Sequence, residues 1–141
     1  MIKKGFLIGT ITGFLLGLVL WLMEATSGIL VYTLLLNVDF IPIVGNIAWP
    51  LWIEWLFHLT IAWAIGITYV VWIKQFTDGG RNSRWSIALL LSVMAALTYF
   101  PLTELAIKET PSLTDSNAIS LWFGAHFLFG IALVKLYEWV N

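Results

Sequence analysis

The stretch that decides the fold is "LWIEWLFHLTIAWAIGITYVVWI", Leu51 to Ile73, apolar for the length a helix needs to cross a bilayer, yet carrying Glu54 and, one helical turn later, His58. Such a run cannot be an ordinary core helix of a soluble domain. The whole chain agrees with it. Its 141 residues are 60% hydrophobic, 16% aromatic and only 11% charged, with a mean hydropathy of +0.92, far from the soluble average. Three more runs qualify on the same ground: Gly5 to Ala25, Trp85 to Leu105 and Ala118 to Val140. The expected fold is therefore all-α, a single polytopic domain over residues 1–141 with four transmembrane helices arranged as two hairpins, and the lipid bilayer is its first partner. The opening "MIKKGFLIGTITGFLLGLVLWLMEATSG" has the Lys-rich front of a signal peptide, but its apolar run is too long and lacks a small-residue cleavage site, so it reads as an uncleaved span.

Lys3, Lys4, Lys74, Arg81, Arg84 and Lys135 fall on one side if the N-terminus is cytoplasmic, leaving Lys108 on the other among Asp39, Glu109 and Asp115. The positive-inside rule then places both termini in the cytoplasm. Trp21, Trp49, Trp52, Trp55 and Trp122 are expected near the outer interface, Trp72, Trp85 and Trp139 near the inner one, and Trp63 alone at mid-membrane. The segment Ser27 to Ala48 is apolar but broken by Asn37, Asp39, Pro42 and Gly45. It reads as a re-entrant or interfacial segment, or as a continuation of the first helix. A fifth full span would move the basic loop "KQFTDGGRNSR" outside and spoil the charge asymmetry.

Glycines recur every fourth residue in the first span at Gly5, Gly9, Gly13 and Gly17, on nearly one helical stripe, so another backbone can approach closely. Two uses are open: packing against another span of the same chain, or a homo-oligomer interface.

Glu54 and His58, at i and i+4, share a face near the outer end of the second span. Glu24 closes the first span, Glu104 follows Phe100-Pro101-Leu102 in the third, and His126 lies in the fourth near the depth of His58. The halves echo one another: His58 and Tyr69 are spaced as His126 and Tyr137 are, and "LME" at the end of the first span parallels "LTE" in the third. A parallel pseudo-repeat of residues 5–73 and 85–140 would gather the two His and two of the Glu into one polar layer below the outer surface. Isolated ionisable groups in a span cost about 2.5–3.5 kcal/mol at its centre, so such a layer is a functional candidate. Snorkelling at the helix ends is the plainer account for each Glu alone, and an interhelical hydrogen bond for each His.

Three functions fit Glu24, Glu54, His58, Glu104 and His126. The leading expectation is a non-enzymatic protein that moves or senses a small cation or proton, probed by imidazoles that titrate near neutrality, and assembled as an oligomer. A b-type haem held by His58 and His126 is an alternative, set back by Lys108 being the only outer cation available to the propionates. A divalent metal on the same two histidines lacks a His-Glu-x-x-His or Glu-x-x-His pattern. Neither cofactor is favoured. A structural or partner-binding subunit of a membrane complex is the third. The net charge of −1 and the absence of long basic runs exclude nucleic acid, and the lack of cysteine excludes disulfides and thiolate metal sites.

"HLTIAWAIGITY", "RWSIALLL", "TYFPL" and "FGAHFLFGIALVKLYEW" together resemble the YagU-like bacterial inner-membrane proteins, and more loosely the small YqhR-like proteins of Gram-positive bacteria. The resemblance covers most of the chain outside Ser27 to Ala48, with departures at Ala125, in the length of the third span and in the loop after the first. It implies a four-helix protein of a bacterial cytoplasmic membrane and marks His58 and His126. It implies no substrate.

Overall fold

A computed structural model describes all residues from Met1 to Asn141. It is all-helical: α1 (Ile2–Ser27), α2 (Val31–Leu36), α3 (Leu51–Phe76), α4 (Arg81–Leu97), α5 (Tyr99–Leu105) and α6 (Ser116–Val140), with one 3₁₀ turn at Val44–Asn46. Four segments are long and apolar enough to cross a membrane: α1, α3, α4 continued by α5, and α6. The protein is a multi-pass membrane protein.

Each span runs on past its apolar run because a helix need not stop where hydrocarbon does. Lys3 and Lys4 extend α1 at its start, and Gly28, at φ 74°, ends it in the left-handed conformation that glycine adopts without strain. The Asp115 carboxylate caps α6 by accepting from Asn117 N and Ala118 N, both at 3.0 Å. The third span breaks at Thr98. Proline at 101 has no N–H to give the Leu97 carbonyl and its ring crowds that turn, so Thr98 N closes a tighter turn on Ala95 O at 3.2 Å. The buried Trp122 indole fills in by donating to Ala96 O at 2.9 Å.

Most threonines within the spans are satisfied on their own helix, as a lipid environment favours. Thr10, Thr12 and Thr60 donate to carbonyls one turn back, at 2.8, 2.9 and 2.8 Å. Mid-span Trp63 donates to Thr10 Oγ1 at 2.8 Å.

The spans associate as two pairs, α1 with α3 and α4 with α6. The pairs are joined chiefly through α1 and α6, whereas α3 and α4 touch much less. The α1–α3 seam is built on glycine. A β-carbon on Gly9 would stand 2.5 Å from Ala62 O and 2.8 Å from Trp63 Cα, and one on Gly5 would stand 2.5 Å from Ile67 Cα. Farther along, Gly13 faces Ala62 and Leu59, and Gly17 faces the Trp55 ring. All four glycines thus meet α3 of the same chain, which takes the intramolecular of the two uses open to the stripe. Any contact between copies would need another face.

One end of the bundle is basic. Lys4 Nζ donates to Val140 O at 2.6 Å and to Asn141 Oδ1 at 3.0 Å, holding both termini together, and Arg84 faces Glu138 at 4.0 Å. Six of the seven Lys and Arg residues belong to this end, with Lys108 alone at the other.

The segment between α1 and α3 is neither a span nor a simple loop. Val31, Leu34, Leu36 and Asn37 are buried against the bundle, and Glu24 staples α2 to the end of α1 by accepting from Thr33 N and Thr33 Oγ1, each at 2.8 Å.

Candidate functional site

The sparse contact between α3 and α4 leaves room at the acidic end of the bundle. There a cavity of about 570 Å³ is lined from α1 by Leu16, from α2 and its following loop by Leu36, Asn37 and Phe40, and from α3 by Glu54, His58 and Ile61. Across from these stand Met94, Thr98, Trp122 and His126. Two histidines from separate spans therefore share one space.

Each ring is held by a backbone carbonyl. His58 Nε2 lies 3.0 Å from Gly13 O on α1, and His126 Nδ1 lies 2.8 Å from Trp122 O, one turn back on its own helix. A carbonyl only accepts, so the bonded nitrogen carries the proton in both rings. The remaining nitrogens, His58 Nδ1 and His126 Nε2, have no partner in the protein, and the only fully enclosed side-chain polar atom without a partner is Thr103 Oγ1. The two unbonded nitrogens are thus not fully enclosed, and both residues line the cavity. Aromatic rings fix their planes: Trp122 lies 4.7 Å from the His126 ring, centroid to centroid, and Trp55 lies 5.8 Å from His58 edge-on. Toward the basic end, Tyr69 and Tyr137, each eleven residues beyond its histidine in sequence, meet in a T-shaped contact at 5.6 Å.

The carboxylates divide. Glu54 lines the cavity, but its oxygen faces Lys108 Nζ at 3.8 Å rather than His58. Glu24 is spent on Thr33 and does not line the cavity, and Glu104 is exposed on α5. Depth along a helix is readable from residue number, but the direction a side chain faces depends on which helix packs where. That is why the expected layer of several Glu contracts to Glu54.

Other groups at the site carried a weaker signal. Asn37 and Asp39 interrupt an apolar segment, and their bonds explain it. Asn37 Nδ2 donates to Asp39 Oδ1 at 2.9 Å, and Asp39 also accepts from Ile107 N at 3.1 Å and Lys108 N at 2.7 Å. Asp39 thereby fixes the loop that presents Lys108 to Glu54. Burial raises the Asp39 carboxyl, but the Lys108 and Ile107 N–H donors and the Asn37 amide outweigh it and hold it below the ordinary 3.8. A carboxyl lowered by folding stabilises above its unfolded value and loses that contribution as the pH falls toward its folded one. The clamp should thus stay intact from neutral pH down to about pH 4 and loosen below. Asp39→Ala should release it at any pH, raising hydrogen exchange at the Ile107 and Lys108 amides about tenfold or more, since hydrogen bonds to a charged group contribute about 1.5–3 kcal/mol. Unchanged exchange would mean that other contacts hold the loop.

No group of three or more His, Asp and Glu side chains is placed to hold a metal ion. The cavity walls carry no Lys or Arg to receive haem propionates, and they include Glu54, so the residues present do not suit a haem. Comparison with protein family models, with curated protein sequences and with solved structures finds no match.

Proposed function

We propose that this chain is a proton-sensing protein of the bacterial cytoplasmic membrane, with both termini in the cytoplasm and the His58/His126 cavity toward the outer side. The observation that carries the reading is the pair of histidines from different spans that line one cavity, each with one ring nitrogen left without a partner in the protein. The orientation follows from the concentration of basic residues at the end that holds the termini. A proton arriving from outside meets Glu54 and Lys108 first, then His58, about 6 Å farther along α3 at 1.5 Å per residue. Protonation of either ring converts an acceptor into a donor and places a positive charge in the cavity between the two helix pairs.

Sensing suits a single copy better than conduction does. Between the histidines and the basic end the bundle is closed by Tyr69, Phe129 and Leu133, none more than 1% exposed, so a through-path would need further copies of the chain. A role as subunit of a larger membrane complex would use the same device. The resemblance to YagU-like proteins is compatible with it and adds no substrate.

The chain has only two histidines, so ¹⁵N imidazole NMR of the full protein in liposomes resolves the question. Lowering the outside pH from 8 to 5, the range in which histidine switches, should move at least the His58 Nδ1 signal from the unprotonated to the protonated position. Proton flux measured in parallel for wild type, His58→Ala and His126→Ala separates sensing from movement. If both rings stay neutral throughout and neither variant alters flux, the proposal fails.

A further inference from the structure

The cavity is far larger than a proton site requires. A water molecule occupies about 30 Å³ in the liquid, whereas this space holds about 570 Å³ and 16 of its 22 lining residues are hydrophobic, the size and character of a small-molecule site.

It also opens sideways. Its lining includes Ile61 of α3 and Met94 of α4, which are 62% and 58% exposed, and each lies close to the middle of its span. A mouth between two transmembrane helices at that depth faces lipid tails rather than water.

The polar inventory is one-sided. Thr60 and Thr98 hydroxyls are spent on Leu56 O at 2.8 Å and Ala95 O at 2.6 Å. The Trp122 indole is spent on Ala96 O, and the Asn37 amide is engaged with Asp39 through both its nitrogen and its oxygen. What remains open is His58 Nδ1, His126 Nε2 and the Glu54 carboxylate, all acceptors, with the second Asn37 N–H as the one donor beside them. An anionic amphiphile such as a fatty acid would meet acceptors with its own acceptors, and the nearest cation, Lys108, already faces Glu54. A pure hydrocarbon would leave both imidazoles unpaired, at about 1–3 kcal/mol each.

We infer that the cavity takes a neutral, membrane-dissolved hydroxyl compound, an alcohol or phenol, which enters between α3 and α4 and donates its O–H to His58 Nδ1 or His126 Nε2. The inference rests on the cavity walls and the tautomers, not on the sensing role. If both hold, such a ligand and a proton compete for the same lone pairs.

The test compares 4-heptylphenol with its methyl ether, 4-heptylanisole, which has nearly the same apolar bulk and no donor, and with octanoate. Each is titrated into full-length protein in phosphatidylcholine nanodiscs. The phenol should bind saturably at one per chain, at least tenfold tighter than the ether or octanoate, and should shift the signal of one of the two open imidazole nitrogens. His58→Phe and His126→Phe each keep a ring and remove one acceptor, and one of the two should shrink the phenol-to-ether ratio toward one. Met94→Trp, at an exposed mouth position and so little threat to folding, should weaken phenol binding severalfold. Equal binding of phenol and ether to the wild type, or no saturable binding, overturns the inference whatever the variants do. Imidazole titration in ligand-free liposomes fails or succeeds separately and tests the sensing role.

Discussion

Replacing Gly9 by leucine should cost this protein about 3 kcal/mol or more of stability, at the upper end of what overpacking usually costs. The reason is what lies opposite. A β-carbon there would stand 2.5 Å from the Ala62 carbonyl oxygen and 2.8 Å from the Trp63 Cα, both parts of a helical backbone that cannot rotate away as a side chain can. The α1 and α3 axes must separate, and every contact along the seam weakens with them, from Gly5 against Ile67 to Gly17 against Trp55. In lipid no hydrophobic driving force restores the loss, because association there depends on close packing itself. Gly124→Ala is the matched control: nothing lies within 4 Å of a β-carbon at that position, and the change should leave stability within about 1 kcal/mol of wild type. Unfolding of both variants in mixed detergent micelles measures the contrast. A Gly9→Leu variant as stable as wild type would mean that the seam is not close-packed.

Trp122 should be the most costly single side chain to remove. It is 1% exposed, it donates to the carbonyl of Ala96 beside the proline break, and its ring packs at a tilt against His126 while its own carbonyl holds that ring's Nδ1. Trp122→Ala should destabilise by about 3–5 kcal/mol, the usual range for a large buried aromatic. Trp122→Phe keeps most of the volume and isolates the hydrogen bond. It should cost about 1–3 kcal/mol, the penalty for leaving a buried carbonyl without a donor. The same micelle titration reads both, and ¹⁵N NMR of His126 reads whether its tautomer survives. If Trp122→Phe matches wild type, the Ala96 carbonyl has another donor and the account of the break at Thr98 is wrong.

Much of this architecture was readable before any coordinates, and the reason is physical. The bilayer imposes a length and a polarity on each span, so Leu51 to Ile73 and its three counterparts announce themselves by composition. Helix ends were less legible, since α3 runs on to Phe76 and the third span starts at Arg81. The break at Thr98 lay hidden inside an apolar run whose only sign was Pro101. At the site, His58 and His126 were expected at a common level, and they line one cavity. Glu54 was expected beside His58 but faces Lys108, a residue from a loop 54 positions later, and no pattern along one helix foretells such a partner. Asp39 looked like an interruption because its three hydrogen-bonding partner residues, Asn37, Ile107 and Lys108, include two far away in the chain.

The uneven joining of the helices has a mechanical consequence. With α1 locked onto α3 by bare backbone and α4 seated on α6, the molecule behaves as two stiff leaves bound along an α1–α6 spine, and the loosely held α3–α4 edge is where they part. Swinging one leaf a little would widen or shut the mouth at Ile61 and Met94 without bending any helix. Whatever occupies the chamber between His58 and His126 acts as a wedge or a clasp at that free edge.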